Sequence, residues 1–256
     1  MRLQTVDEIE LEAAGVRGDR RFYLVDDECA LVNAKRLPAL LSVRPAVEDG
    51  RLILRFSDDS TVEGETRQLG DRIETSFYGR PVLGRIVEGP WAEALSELAG
   101  KPVRVARTER EGDGYDRGRS AGASIVSTAS LEALRRASGA TEAVDGRRFR
   151  MTIGIDTEEP HLEDTWIGSK VRVGGAVVLV RDNVGRCAVT SRDPDTGVRD
   201  LDTLDAIADY RAGVPTGEPL PFGVWGEVVS PGRVALGDRV KTLSSSAAHT
   251  GGSRAY

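Results

Sequence analysis

A string of short β-prone runs, set close together and broken by turn signals, narrows the fold of this chain more than any other feature. Two hairpins are legible. Residues 21–25 and 30–33 flank the polar turn Asp26-Asp27-Glu28. Residues 41–47 and 51–56 flank Glu48-Asp49-Gly50, where Asp-Gly is a strong short-range hairpin signal. Further runs lie at 81–87, 103–106, 149–155, 171–173, 176–180, 187–191, 224–229 and 239–243. Strands this short and this closely spaced predict barrels or sandwiches rather than a doubly wound sheet. Three helices punctuate them. One runs from Pro90 to Ala99 and ends at Gly100; one covers 129–137, capped by Ser127 or Thr128 and closed by Gly139; one covers 201–211, beginning after Asp200 or Asp202 and stopping before Gly213. Leu131 with Leu134, and Leu204 with Ile207 and Ala208, share helix faces that would pack on a sheet.

The chain has 256 residues, the length of one large domain or two small ones. The charged, glycine-rich stretch 108–118 reads as a linker poor in core residues. It divides a smaller N-terminal domain, 1–107, from a second domain, 119–243, with 244–256 as a disordered tail. Trp166 and Trp225, among apolar neighbours, are expected in the core.

Hydrophobic residues make up 39% and charged residues 30%, the balance of a globular protein. A net charge of −6 and a pI near 5.2 argue against a nucleic-acid partner. No run of 18 apolar residues exists, so no membrane span is expected, and Met1-Arg-Leu-Gln-Thr-Val-Asp-Glu8 has no secretory pattern, so a cytoplasmic location is expected. Two cysteines make no disulfide framework or four-cysteine metal site, and two histidines leave little for histidine-based catalysis.

Among chemistry-bearing residues, Cys187 stands at the start of an expected strand, after a glycine turn and beside Arg186. A neighbouring cation favours thiolate, a soft metal ligand and a good nucleophile, but a lone cysteine also serves as a small buried apolar residue. Cys29, in a hairpin, reads as structural. Gly-Asp-Arg recurs at 18–20, 70–72 and 237–239 and, Gly-Asp being a turn signal, reads as three strand entries with solvated arginines. On a strand, Arg148 and Arg150 would share a face and form either a paired anion clamp or a solvated stripe. Asp193-Pro-Asp-Thr-Gly197 reads as a turn, because it lacks the later oxygen ligands of a calcium loop. Residues 156–164, with His161 among carboxylates, read as an acidic solvated loop.

In combination, Gly15-Val-Arg-Gly-Asp-Arg20-Arg-Phe-Tyr-Leu-Val25, Arg148-Phe-Arg150, Glu163-Asp-Thr-Trp-Ile-Gly168, Gly185-Arg-Cys187 with Asp193-Pro-Asp-Thr-Gly197, and 229–238 resemble the MOSC family. The family takes its name from the molybdenum-cofactor sulfurase C-terminal domain and includes the mitochondrial amidoxime-reducing component. The resemblance covers residues 10–243. It implies a mainly β fold: a MOSC-type β-barrel preceded by a smaller barrel-like domain. It further implies a molybdopterin-type molybdenum cofactor, with Cys187 ligating the metal and Arg20 and Arg150 holding the pterin phosphate; pyridoxal phosphate is not expected. Arg148, Arg186 and Ser120 join the implied cofactor-binding set, Ser120 keeping a polar contact where reductases carry an Asp-Thr-Ser-like run. Met151-Thr152 stands where reductases often have Pro-Asn, and the relatives' Pro-x-Lys-Ser strand is expected to be missing ahead of Gly18. The implied activity is reduction of N-oxygenated small molecules by a separate electron-donor protein. A persulfide-based sulfur carrier at Cys187, or a non-catalytic cofactor-binding protein, are the alternatives.

Overall fold

The computed structural model describes residues 1–243, so the tail at 244–256 lies outside the described residues. The mainly β expectation holds: four sheets and three α-helices make up the described residues. A five-stranded sheet takes its strands in the order Leu31–Val32, Phe22–Val25, Arg104–Thr108, Arg80–Val87 and Leu69–Phe77, and a three-stranded sheet is built from Arg44–Glu48, Arg51–Arg55 and Thr61–Glu65. Leu24, Leu52, Leu54, Val87 and Val105 from these sheets enclose one core with Trp91 and Leu95 of helix α1 (Trp91–Ala99). The Trp91 indole is fully buried and donates to the Leu52 carbonyl at 2.9 Å, which ties α1 to the smaller sheet.

A six-stranded sheet carries the second half, in the order Ile153–Ile155, Ala123–Ser127, Pro221–Ser230, Ala176–Gly185, Lys170–Val173 and Val240–Leu243. Helix α2 (Thr128–Ser138) links the parallel pair Ala123–Ser127 and Ile153–Ile155. The Ser127 hydroxyl caps it by accepting from the Ser130 amide at 3.1 Å, and Arg135 and Arg136 in the last turn suit the negative end of the helix dipole. Leu134 of α2 and Ile207 of α3 (Thr203–Tyr210) meet over Phe149 and Phe222. Strand Glu8–Glu12 pairs with Gly232–Ala235 and puts Leu11 into the core of the six-stranded sheet, so the two ends of the described chain are stitched together. No described helix is long and apolar enough to cross a membrane.

Several expectations require correction. Residues 149–155 are not one strand: Gly146–Phe149 is a 3-10 turn capped by Asp145, Arg150 is left-handed, and only Ile153–Ile155 is extended. Residues 187–191 form a 3-10 turn, Ala188–Ser191, rather than a strand. Gly70-Asp71-Arg72 does stand at a strand entry with Arg72 exposed, but inside the first residues of the edge strand Leu69–Phe77, where the register slips, rather than in a turn ahead of it. Trp166 is buried as expected, but Trp225 is only half-buried. Strand alternation explains this, since Val224 and Val228 take the core face and leave Trp225 on the other.

The acidic loop is solvated over Asp156, Glu158 and Glu159, which are exposed, but not at its end. Glu163 is fully buried; its Oε1 accepts from the Ser127 amide at 3.1 Å and the Ser130 hydroxyl at 2.8 Å, and Asp164 pairs with Arg211. These partners make carboxylate burial tolerable. The His161 ring sits 5.7 Å from the centroids of both Tyr210 and Phe222, and burial lowers its pKa to about 4. The unfolded chain therefore binds the proton first, at its ordinary pKa of about 6.5. Stability is expected to fall as the pH drops from about 6.5 to about 4 and to be flat above that window. Urea melts of His161→Phe between about pH 7 and about pH 5 should show a smaller acid loss than the parent. An equal loss in both proteins would mean that His161 does not carry the effect.

Candidate functional site

The ten-residue strands Ala176–Gly185 and Pro221–Ser230 pair with three register shifts, the last between Asn183 and Gly185. Such irregularities bend a strand and re-aim the chain beyond its end. Here that chain is Arg186 and Cys187. Cys187 is extended and exposed, and its carbonyl accepts from the Thr190 amide at 3.1 Å and the Thr190 hydroxyl at 3.0 Å. Thr190 in turn bonds Thr203 at 2.8 Å, which moors the cysteine turn to the start of α3.

Cys187 lies on the wall of a cavity of about 570 Å³, a size suited to a cofactor or small molecule. Eight arginine or lysine side chains and two aspartates share that wall, in a chain whose net charge is −6. Arg2, Arg21, Arg117 and Arg148 are ion-paired with Asp195, Glu111, Glu218 and Asp200, so the cations left to face the cavity are fewer than the count suggests.

Arg20 and Arg150 are two of those left. Arg20 donates to the Arg150 carbonyl at 3.2 Å, and its guanidinium lies 4.7 Å from the Tyr115 ring centroid. Tyr115 is buried, and its hydroxyl accepts from the Val16 amide at 3.0 Å. Gly114 passes so close that a Cβ there would stand 1.9 Å from the Arg20 carbonyl oxygen. The stretch 108–118 is thus a packed strap that fixes Arg20, not a core-poor connector; its glycines permit close approach. Arg150 donates to the Met1 carbonyl at 2.9 Å, and burial, reinforced by the Arg20 charge, holds its pKa below the usual arginine value. No carboxylate among the described residues pairs with Arg150, and Arg20 has only its neighbour Asp19 at 3.5 Å. Two like charges brought together in this way are relieved by an anion between them.

The other implied residues separate into two groups. Arg148 and Arg186 reach the cavity wall, but their guanidiniums are committed to the protein. Arg148 is buried and grips Asp200 with two bonds, one of 2.7 Å, while Arg186 donates to the carbonyls of Phe149, at 2.9 Å, and Phe222, at 2.8 Å. Burial lowers the Arg186 pKa to about 9. Arg186 therefore clamps the Arg148–Met151 turn to the sheet. The strand-face clamp expected of Arg148 and Arg150 is not built, because the 3-10 turn sends one arginine to Asp200 and the other to Arg20. Ser120 is exposed and off the cavity wall; Ala121, Ala123 and Ser124 lie on it instead. Cys29 lies outside it.

Sequence reasoning missed Tyr78, Lys35, Arg117 and the position of Trp225, all on the wall. Trp225 was legible from strand alternation, and its indole N–H has no partner there. Arg20, Tyr78 and Arg150 all hold left-handed backbone, each with φ of 53°. Such strain costs on the order of 1–3 kcal/mol per residue and clusters at functional sites.

Comparison with known proteins matches this architecture. The family model for the MOSC domain matches residues 115–241, and that for the MOSC N-terminal beta barrel domain matches residues 1–87. The chain belongs to the MOSC family. It is 25% identical over 267 residues to mitochondrial amidoxime-reducing component 1 of Mus musculus, covering 93% of this chain and 77% of that one. It is 26% identical over 263 residues to molybdenum cofactor sulfurase of Danio rerio, covering 86% of this chain but only 29% of that protein. Among solved structures, the YUAD protein from Bacillus subtilis aligns over 93% of this chain and 86% of its own, at 12% identity and a TM-score of 0.41.

Proposed function

We propose that this protein holds a molybdopterin-type molybdenum cofactor in the cavity and uses it to reduce small N-oxygenated molecules, with electrons from a separate donor protein. The observation that carries this reading is the convergence of Arg20 and Arg150, without a bridging carboxylate, on a cavity walled by the exposed thiol of Cys187. The residues fit the group. A thiolate is a soft donor for molybdenum, two guanidinium forks suit a phosphate, and the unpartnered Trp225 N–H offers one further donor. No cluster of three or more His, Cys, Asp or Glu side chains stands among the described residues, and Cys187 would be the chain's own ligand to the metal.

When bound, the cofactor supplies the two-electron chemistry that removes oxygen from the substrate. The chain supplies position. Thr190 and Thr203 fix the cysteine turn, the Tyr115 strap fixes Arg20, and the Arg186 clamp fixes the turn that presents Arg150. Protein made in a cofactor-competent host should reduce an amidoxime with a reduced viologen dye as donor. Cys187→Ser should lower turnover by more than about 100-fold with the circular dichroism unchanged. Turnover unaffected by that change would refute the assignment. The exposure of Cys187 favours one second reading, a sulfur carrier that accepts sulfane sulfur as a persulfide. A mass increase of one sulfur on metal-free protein after incubation with a persulfide donor, lost in Cys187→Ser, would support it.

A further inference from the structure

We infer that Tyr78 is a specificity-determining residue of this cavity, sorting flat aromatic substrates from chain-like ones by presenting the face of its ring beside Cys187 and the Arg20–Arg150 pair. The inference rests on the proposed function for the identity of the substrates and on the geometry of one hairpin for the rest.

Strands Leu69–Phe77 and Arg80–Val87 are joined by two residues, Tyr78 with φ of 53° and Gly79 with φ of 90°. A two-residue turn with both φ positive is the geometry that favours Asn-Gly or Asp-Gly, because short polar side chains tolerate the left-handed region and a bulky ring does not. Tyrosine is therefore a poor choice for the turn itself. The strain has no route of escape. Phe77 is buried with its ring edge-on to Tyr23 at 5.1 Å, and Arg80 donates to the carbonyls of Asp113 and Tyr115 at 2.6 and 2.8 Å. Both ends of the turn are thus anchored, and the tip is held over the cavity.

The ring itself is not needed by the core. It is 62% exposed, yet it belongs to the wall that carries Cys187, Arg20 and Arg150. Its hydroxyl has one long contact, from the Asn33 amide at 3.4 Å. Asp116, Cys187, Arg20 and Arg150 line the same cavity as Tyr78. Tyr78 takes no part in the ion pairs or hydrogen bonds that position the arginines. What remains is a flat, partly apolar ring carried by an anchored turn at the site, and aromatic faces stack on flat partners with offset or edge-on geometry.

The test compares benzamidoxime with hexanamidoxime on cofactor-loaded protein, by the ratio of their kcat/KM values and by the ratio of their affinities in calorimetry. Tyr78→Phe should keep both ratios. Tyr78→Asn should shift both toward the alkyl compound by about 3- to 10-fold, chiefly through KM and affinity, with a melting temperature level with or above the parent. Unchanged ratios in Tyr78→Asn would overturn the inference, as would the same shift in Tyr78→Phe. A lowered melting temperature in Tyr78→Asn would also overturn it, by giving the ring a structural role. If Cys187-dependent turnover is missing in the parent protein, the functional reading fails, and the calorimetric ratio still decides the role of Tyr78.

Discussion

Arg150→Gly is expected to weaken retention of an anionic phosphate by about 10- to 100-fold while leaving the melting temperature level or raising it. The loss comes from removing one charge-assisted guanidinium contact, worth about 1.5–3 kcal/mol. The stability gain comes from the backbone. At φ of 53° a non-glycine residue carries a left-handed penalty on the order of 1–2 kcal/mol, which glycine does not. The substitution also removes a half-buried cation that faces Arg20, while the greater freedom of the unfolded chain, about 0.4–1 kcal/mol, and the lost bond to the Met1 carbonyl oppose these gains. Arg150→Lys should keep the charge and part of the affinity but retain the strain. Thermal melts and the molybdenum retained through gel filtration separate the two effects. A melting temperature that fell several degrees in Arg150→Gly would assign Arg150 to folding, through its bond to the Met1 carbonyl, rather than to binding.

Trp91→Ala is expected to cost about 3–5 kcal/mol, a large fraction of the stability of a domain of this size. The side chain is fully buried among Leu52, Leu54 and Leu95, and its N–H bond to Leu52 joins α1 to the smaller sheet. Truncation would leave a cavity and an orphaned carbonyl. Trp225→Ala is the control. It removes a half-buried ring that lies 5.2 Å from the Arg117 guanidinium on the cavity wall, so it should cost much less stability and act on the site instead. Urea unfolding of both variants checks the contrast, and equal losses would show that the cavity wall is as rigid a part of the core as Trp91.

Both tryptophans show where sequence reasoning reaches its limit. The mainly β architecture, the two first hairpins and all three helices were legible, because turn residues and helix caps are local signals. Ser127 and Gly139 act where the chain itself announces them. Long-range pairing was not legible. Strand Glu8–Glu12 alternates Ile9 and Leu11 with glutamates, but its partner Gly232–Ala235 lies at the far end of the described chain. Leu69–Phe77 is polar because it is an edge strand, so it gave little apolar pattern to trace.

The site divides in the same way. Its motif residues Cys187, Arg20 and Arg150 do converge, yet the strand that was to align Arg148 with Arg150 is replaced by a 3-10 turn. Asp145, Asp195 and Asp200 draw Arg147 and Arg148 away, and of these partners Asp195 and Asp200 lie too far along the chain to be visible from local spacing. Tyr78 left no local signal other than its place before a glycine.

The central claim is that one exposed thiol and one pair of converging guanidiniums hold a metal-bearing cofactor. Molybdenum and pterin quantified in protein from a cofactor-competent host test it most directly. The account predicts about one of each per chain in the parent protein, and molybdenum lost in Cys187→Ala with stability changed by no more than about 0.5 kcal/mol, since the side chain is exposed. The same molybdenum content in parent and variant would contradict it.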